Sequence, residues 1–311
     1  MSIDLGFDDG QQAVFDSLSQ FCAERCGEEV VKSLAGDFPD SLWQELAELG
    51  VLALATAEGD GGALEAVAAC EALGRAVFPG PIVATFLATQ VLPAADRAAV
   101  AEGRVVVAVG SPPLWPWAPL AGIFIEVADG HAWRCAPRGE VVAVGTLGGE
   151  PWGRARVERE ADLGPVDRAL SLYELTLAAY LAAAGAQLVE VTADHVRTRK
   201  QFGKTLGEFQ AVAHPLADCS MALGAAAGLA RAAGFHFDAQ AEHTRAAAAA
   251  ARLSACRAAV EAAQVCHQLF GALGITLEGP VFHISRRIRQ LASQPPDDAS
   301  ARAEVIGGFG L

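Results

Sequence analysis

The segment RKQFGKTLGEFQ, residues 199–210, connects two long alanine-rich stretches that both have the periodicity of helices. A connection between two buried helices needs only a glycine and a few polar residues. This one instead carries Arg199, two glutamines and two phenylalanines, a combination suited to a flat, anionic ligand. Residues 199–210 therefore predict a ligand-binding segment placed between two long helices.

The composition limits the class of protein. The chain has 311 residues, 52% of them apolar, which supplies a sizeable core, and its formal net charge is −14 at pH 7. An acidic surface repels phosphate backbones and anionic lipids, so we expect neither nucleic acid nor membrane as a partner. Residues 1–10 contain no basic region followed by an apolar run, so no signal peptide is expected and the chain is predicted to be cytoplasmic.

Seven cysteines are scattered along the chain, at positions 22, 26, 70, 135, 219, 256 and 266. Cys22 and Cys26 lie one helical turn apart, but no second Cys/His pair at metal-binding spacing accompanies them. We therefore expect reduced thiols in the core of a cytoplasmic protein and no metal site.

Residues 8–90 have the pattern of a series of helices. The predicted helices cover 10–26, 40–50, 64–77 and 82–95. Asp40 or Ser41 is expected to cap the second helix, and Gly50 to end it. The glycines and acidic residues of 57–65 predict a loop.

A short region of strand pattern follows. Residues 104–110 predict a strand, and 121–136 predict a hairpin that turns at Asp129-Gly130. The proline density of 111–120 excludes regular structure there. Further candidate strands are 139–145 and 154–160.

From residue 166 the pattern is helical again. Helices are predicted over 166–200, 206–238, 241–273 and 279–293. Thr205 and Glu208 have the spacing of a capping box at the start of the second of these. Long alanine-rich helices joined by short turns predict an antiparallel bundle. The predicted domains are therefore helical residues 1–102, a β region over 103–165 and a bundle over 166–311.

Three parts of the chain, in this order, resemble the acyl-CoA dehydrogenase family. WQELAELGVLAL (43–54), GDGG (59–62) and EALGRAVFPGP (71–81) are similar to its first helical domain. RKQFGKTLGEFQAVAHPLAD (199–218) resembles its R-x-x-F-G…F-Q…L-A-D signature. HQLFGALGITLEGPVFHISRR (267–287) resembles its Q-x-x-G-G-x-G-(F/Y)-T-x-E motif. The resemblance implies a mainly α fold, with an N-terminal helical domain, a reduced middle β domain and a C-terminal four-helix bundle.

The resemblance also implies a cofactor. Members of the family bind FAD and oxidise the Cα–Cβ bond of an acyl-CoA thioester, and in the family the segment matching 199–210 contacts an FAD held mainly by the neighbouring subunit. By resemblance, Arg199 would meet the FAD pyrophosphate, since a guanidinium suits paired phosphate oxygens. Gln201 and Phe202 would lie near the adenine–ribityl part.

Three further residues complete the implied cofactor surface. Gln210 and Gln268 would hydrogen-bond the FAD, and Gly271 would let the backbone approach it closely. Ala272 departs from the family's second glycine at the next position. The alternative for Arg199 is a solvated cation at a helix C-terminus, where the helix dipole favours positive charge.

The base that the family's chemistry needs is absent from both places where the family has it. The family removes the substrate α-proton with a glutamate, which must reach the α-carbon. Counting from Gln268, one family position falls on Pro295, and no E-G-T motif is present. The other position, counted back from Arg199, falls on Tyr173, whose ordinary pKa of about 10 makes it a poor base.

Three carboxylates near those positions are the remaining candidates. Glu174 is adjacent to Tyr173, but one residue is about 100° around a helix, so it is expected to point elsewhere. Asp297 and Asp298 lie near the missing glutamate, within PPDD (295–298), which has the pattern of a mobile loop. We therefore expect no catalytic residue in this chain, with Glu174 as the candidate if there is one.

The β region departs from the family as well. Neither 107–120 nor 129–136 contains the donors of the family segments that cover the flavin ring. Trp115, Trp117 and Trp133 are candidates for stacking on a flavin, although tryptophan in a small β domain more often packs in the core or at an interface.

The chain thus keeps residues that help a neighbour hold FAD and lacks those of its own flavin pocket. This combination resembles the non-catalytic subunit of α2β2 acyl-CoA dehydrogenases of actinobacterial sterol side-chain degradation, in which a homologous catalytic subunit holds the shared FAD and the acyl-CoA. Two alternatives remain at this point. One is a homo-oligomeric enzyme that uses Glu174 or Tyr173, and the other is a scaffold on the same fold without flavin.

Overall fold

The structure, a computed structural model, describes residues 5–27, 30, 38–56 and 59–311. Five helices precede the strands in that part of the chain. They are α1 Asp9–Arg25, α2 Asp40–Glu48, α3 Ala63–Arg75, α4 Ile82–Val91 and α5 Ala94–Ala101. The predicted mainly α fold is confirmed, while the domain limits at 102 and 165 stay predictions.

Two details of the N-terminal helices differ from the prediction. The helix expected over 82–95 ends at Val91, because the residue before Pro93 is forced out of helical geometry, and Leu92 is extended with ψ 146°. Pro39, rather than Asp40 or Ser41, precedes the first turn of α2, and no side chain caps it. Gly50 adopts the left-handed conformation expected of a helix stop, with φ 77°. Positions 57 and 58 of the predicted loop lie outside the described residues.

The middle of the chain forms a five-stranded sheet in the order β1-β3-β4-β5-β2. Its strands are β1 Val107–Gly110, β2 Leu114–Pro116, β3 Ile123–Ala128, β4 His131–Val144 and β5 Trp152–Pro165. β1 pairs with β3 in parallel, and the other pairs are antiparallel. The predicted hairpin turn is present, since Asp129 and Gly130 both have positive φ, 55° and 76°.

Two predictions for the sheet were wrong in part. Residues 114–116 do form a strand despite the prolines, because β2 is an edge strand, where a missing backbone N–H costs little. The segments 121–136 and 139–145 share one long strand, β4, whose pairing with β5 shifts register between Arg138 and Val142. Gly139, with φ 83°, lies within that irregularity.

The remaining chain is helical apart from a two-stranded hairpin, Lys200–Gln201 with Lys204–Thr205. Its helices are α6 Asp167–Thr198, α7 Gln210–Asp238, α8 Thr244–Phe270, α9 Pro280–Ala292 and α10 Asp298–Phe309. The predicted capping box of Thr205 and Glu208 is present and begins a short 3-10 turn before α7. The helix α10 was not predicted. Its N-cap Asp297 accepts a hydrogen bond from the Ser300 amide at 2.7 Å, so the non-helical residues 295–297 lead directly into a helix that begins at Asp298.

The core of the bundle forms around α6, which packs against both α7 and α8. Gly185 allows α6 and α7 to approach closely, since a Cβ there would lie 2.5 Å from Leu223 Cδ2. By length and composition α6 could cross a membrane, but 72% of its most apolar window is buried inside the protein, as in the core helix of a bundle. All seven cysteines are free and buried.

One buried cation connects the three parts of the fold. Arg287 of α9 is 5% exposed and forms an ion pair with Glu150, in the loop between β4 and β5. Its guanidinium also donates to the carbonyls of Phe78 and Gly80, at 3.4 and 3.1 Å, after α3. The hydroxyl of Tyr180, from α6, donates to the same Phe78 carbonyl at 2.8 Å. Arg287 thus fixes the N-terminal helices, the sheet and the bundle relative to one another.

Replacing Arg287 with Met tests this role. The variant leaves the Glu150 carboxylate and two carbonyls buried without their cation, so we expect the free energy of unfolding to fall by about 3–5 kcal/mol. Arg289→Met, at an exposed position of the same helix, should change it by no more than about 0.5 kcal/mol. Urea denaturation of both variants makes the comparison, and equal stabilities would contradict the role given to Arg287.

Candidate functional site

The helices of the bundle bring the predicted cofactor residues to one end. His195, near the end of α6, stacks on Phe270, the last residue of α8, with ring centroids 4.2 Å apart and planes 14° apart. α7 begins at Gln210 at this same end, because it runs antiparallel to its two neighbours. The segment 199–210 and residues 268–271 therefore lie at the same end of the bundle.

The connection from α6 to α7 is a small hairpin. Lys200–Gln201 pairs with Lys204–Thr205, and the turn residues Phe202 and Gly203 both have positive φ, 51° and 84°. Positive φ is uncommon for a bulky residue, and here it projects an apolar ring outward, 90% exposed. Lys204 instead packs over the ring of Phe209, at 4.1 Å. The hairpin thus presents Phe202 to whatever contacts this end of the bundle.

The polar side chains of this surface are unused by the protein itself. Arg199, Gln201, Gln210 and Gln268 are all exposed, and within the described residues their side chains form no hydrogen bond or ion pair. A guanidinium and three amides supply the donors that a pyrophosphate and ribityl hydroxyls require. The donor set therefore fits an FAD held against this end.

The backbone conformation at position 271 requires a glycine. It ends α8 with φ 61° and ψ −134°, a region almost restricted to glycine. A Cβ added there would meet no atom of the described chain. The glycine thus sets the path of the chain into the 3-10 turn that carries Ala272 and leaves open space on its outer side.

The two family positions for the base meet at one cavity. Tyr173 and Pro295 both line a space of about 260 Å³ between β1 and the bundle. Proline offers no base there, and the Tyr173 hydroxyl donates to Gln294 Oε1 at 2.8 Å. Burial raises the pKa of Tyr173 further above its ordinary value. The cavity thus lacks a base at either family position.

The nearby aspartates do not replace it. Asp297 lines the same cavity, but the hydrogen bonds from Ser300 at the start of α10 lower the pKa of its carboxyl, which makes it a weaker base. Asp298 lines a different groove, beside Arg302 and α8.

Glu174 has a structural role. Its side chain is fully buried and forms an ion pair with Arg245 of α8, close to a second guanidinium, that of Arg252, which is 1% exposed. Burial raises the pKa of Glu174, and the two arginines oppose that shift. Glu174 is not among the residues that line the cavity of Tyr173.

The three tryptophans contribute to packing. Trp115 is fully buried and its indole N–H donates to the Ala155 carbonyl at 3.3 Å. Trp117 is 3% exposed and meets Phe38 edge-on, with ring centroids 5.7 Å apart. Arg159 covers the ring of Trp133 at 4.7 Å. Core packing, the commoner role for tryptophan, therefore accounts for Trp115 and Trp117, and Trp133 is partly buried against the small core of the sheet.

Comparisons with known proteins agree with the fold. The family "Acyl-CoA dehydrogenase, N-terminal domain" matches residues 8–104, and "Acyl-CoA dehydrogenase, C-terminal domain" matches 166–293. Acyl-CoA dehydrogenase IpdE2 of Mycobacterium tuberculosis is 31% identical over 290 residues, which cover 86% of this chain and 87% of IpdE2. The chain belongs to the acyl-CoA dehydrogenase family.

Two solved structures share the whole fold. The ChsE4–ChsE5 complex from Mycobacterium tuberculosis matches with a TM-score of 0.80 and 21% identity, over 99% of this chain and 97% of that one. The Tcur3481–Tcur3483 steroid acyl-CoA dehydrogenase matches with a TM-score of 0.85 and 20% identity, over 99% of both chains. At these identities the similarity shows the fold alone.

The buried environment of Glu174 leads to a prediction. Glu174→Gln keeps the size of the side chain but leaves Arg245 and Arg252 without their counter-charge, so the free energy of unfolding should fall by about 3–5 kcal/mol. Acyl-CoA oxidation by the assembled, folded protein should stay at the native rate. Glu190→Gln, at an exposed position of the same helix, should cost at most about 1 kcal/mol. A large loss of turnover in folded Glu174→Gln would identify Glu174 as the base.

His195 makes the cofactor end sensitive to acid. Burial and the nearby charge of Arg199 lower the pKa of His195. The unfolded chain therefore binds the proton more readily, so stability is complete above the unfolded pKa of about 6.5 and declines as the pH falls below it. After correction for intrinsic rates, hydrogen exchange of residues 199–209 in the native chain should accelerate as the pH falls from 7 to 5. The same measurement on His195→Gln should show a smaller acceleration. His214→Gln, at an exposed position of α7, should retain the native pH dependence.

Proposed function

We propose that this chain is a non-catalytic partner subunit of a heteromeric, FAD-dependent acyl-CoA dehydrogenase. The proposal rests on a contrast between the two ends of the bundle. The end of the bundle presents exposed, unused donors, whereas both family positions for the base, Tyr173 and Pro295, lack a carboxylate. This chain retains residues that can contact a cofactor from outside but lacks the catalytic base. We therefore assign it to the FAD site of a neighbouring subunit.

The exposed end of the bundle would complete the FAD site of a homologous catalytic subunit. Its proposed contacts are Arg199, Gln201, Phe202, Gln210, Gln268 and Gly271. The Arg199 guanidinium would neutralise the pyrophosphate, and the three amides would orient the cofactor by hydrogen bonds. The exposed ring of Phe202 would exclude water from the contact. When bound, FAD supplies the hydride acceptor for α,β-desaturation.

The outer face of α7 supports a protein partner. This helix starts at the cofactor end, and between residues 211 and 230 it carries a single charged side chain, Asp218. Met221, Leu229 and Phe235 are exposed along it, by 67%, 40% and 63%. An exposed apolar helix face on a chain of net charge −14 indicates a protein contact. We assign it to the catalytic subunit, in an α2β2 assembly.

The substrate class rests on the structural relatives. The Tcur3481–Tcur3483 protein is a steroid acyl-CoA dehydrogenase, and ChsE4–ChsE5 is a complex of two proteins. The first supports a steroid-CoA ester as the substrate of the assembly, and the second supports an assembly of two different chains. We place this assembly in the cytoplasm as part of the proposal. A homo-oligomeric enzyme using Glu174 is disfavoured by the burial of that carboxylate against Arg245. A flavin-free scaffold is disfavoured by the exposed donors at the bundle end.

Arg199→Ala tests the role of the cofactor surface. In the assembled complex this variant removes a charge-assisted contact to a phosphate, so FAD should dissociate about ten-fold more readily, and turnover at limiting FAD should fall. FAD retained after gel filtration, measured by absorbance, gives the result. The matched control is Arg197→Ala, an exposed arginine two residues earlier that pairs with Asp194. Unchanged FAD content and turnover in Arg199→Ala would contradict the assigned contact.

A further inference from the structure

A second cavity lies where the N-terminal helices meet the bundle. Its volume is about 370 Å³, within the range of small-molecule sites. Helices α1, α3, α6 and α9 form its walls, mainly with small apolar side chains. Among them are Cys22, Cys26, Ala72, Val191 and Ile284.

The polar side chains of this cavity include a cation. Among the described residues that line the cavity, the polar ones are Ser19, Arg75, Gln187 and His283, and none of the described lining residues is a carboxylate. Within the described chain, the side chains of Ser19 and Gln187 form no hydrogen bond. Arg75 lines the cavity with its side chain 37% exposed, and within the described chain only its Nη2 donates, to Glu190 at 2.5 Å. Its other nitrogens remain available.

The thiols of Cys22 and Cys26 contribute to the apolar lining of the cavity. Burial raises the pKa of Cys22 to about 12 and that of Cys26 to about 11. Both are therefore neutral at pH 7 and suited to contact with hydrocarbon. The cavity thus has an uncharged, apolar part that includes the two thiols. Beside it are one cation, Arg75, and two hydrogen-bonding side chains without a partner in the described chain, those of Ser19 and Gln187.

We propose that this cavity binds a small apolar carboxylic acid, with the hydrocarbon part between α1 and α3 and the carboxylate at Arg75. The Ser19 hydroxyl and the Gln187 amide are the additional donors for the carboxylate oxygens. The site is separate from the cofactor end of the bundle. Along α6, Gln187 lies 12 residues before Arg199, which corresponds to about 18 Å.

Calorimetric titration of the full chain with decanoate tests the proposal, with decanol as the probe that lacks a carboxylate. We expect decanoate to bind at one site per chain and decanol to bind at least about ten-fold more weakly, since a charge-assisted contact is absent. Arg75→Gln should weaken decanoate binding by a similar factor and leave decanol unaffected. Ala76→Leu, which fills the cavity from α3, should abolish binding of both probes.

The matched control is Arg25→Gln. Arg25 is also an exposed arginine paired with a glutamate, Glu45, but it does not line this cavity. This variant should bind decanoate as the native chain does. The proposal is overturned if the native chain does not bind decanoate, if decanol binds equally well, or if Arg75→Gln and Ala76→Leu bind normally. FAD content of the complex should be unchanged in all three variants, which separates this result from the proposed cofactor role.

Discussion

The fold depends on a guanidinium that has almost no access to water. Removing Arg287 from solvent is costly, and the cost is offset because Glu150 and the carbonyls of Phe78 and Gly80 surround it. Burial lowers the pKa of Arg287 to about 9, which leaves it charged at neutral pH. Since its partners come from the sheet and the N-terminal helices, the sheet is held against the bundle in one position. The cavity of Tyr173 lies at that junction.

The two faces of the bundle have opposite properties. Towards the sheet the Tyr173 hydroxyl donates to Gln294 Oε1, and in the bundle interior Glu174 forms an ion pair with Arg245, so each of these side chains has a partner within the protein. At the open end, Arg199 and the amides have no partner in the described protein. Polar groups that are satisfied internally stabilise a fold, whereas exposed and unused donors are available to a ligand. This difference is the physical basis for assigning the chain a supporting role in a shared site.

The sequence predicted most helices and the hairpin, because their signals are local. Helical periodicity, the Thr205–Glu208 box and the Asp129-Gly130 turn each involve a few neighbouring residues. The errors arose where tertiary position decides the outcome. β2 tolerates proline because it is an edge strand, and the start of α10 follows two prolines that suggested a loop. The pairing of Glu174 with Arg245, 71 residues away, has no local signature in the sequence. The cofactor residues were found by motif spacing and remain predictions.

The most direct test of the account is the visible absorption spectrum of this chain, purified alone and after co-expression with a homologous catalytic acyl-CoA dehydrogenase subunit. We predict no flavin bands for the chain alone and stoichiometric flavin in a stable complex. A flavin spectrum from the isolated chain, at an amount equal to the protein, would show that the chain holds its own cofactor. That result would contradict the partner-subunit function.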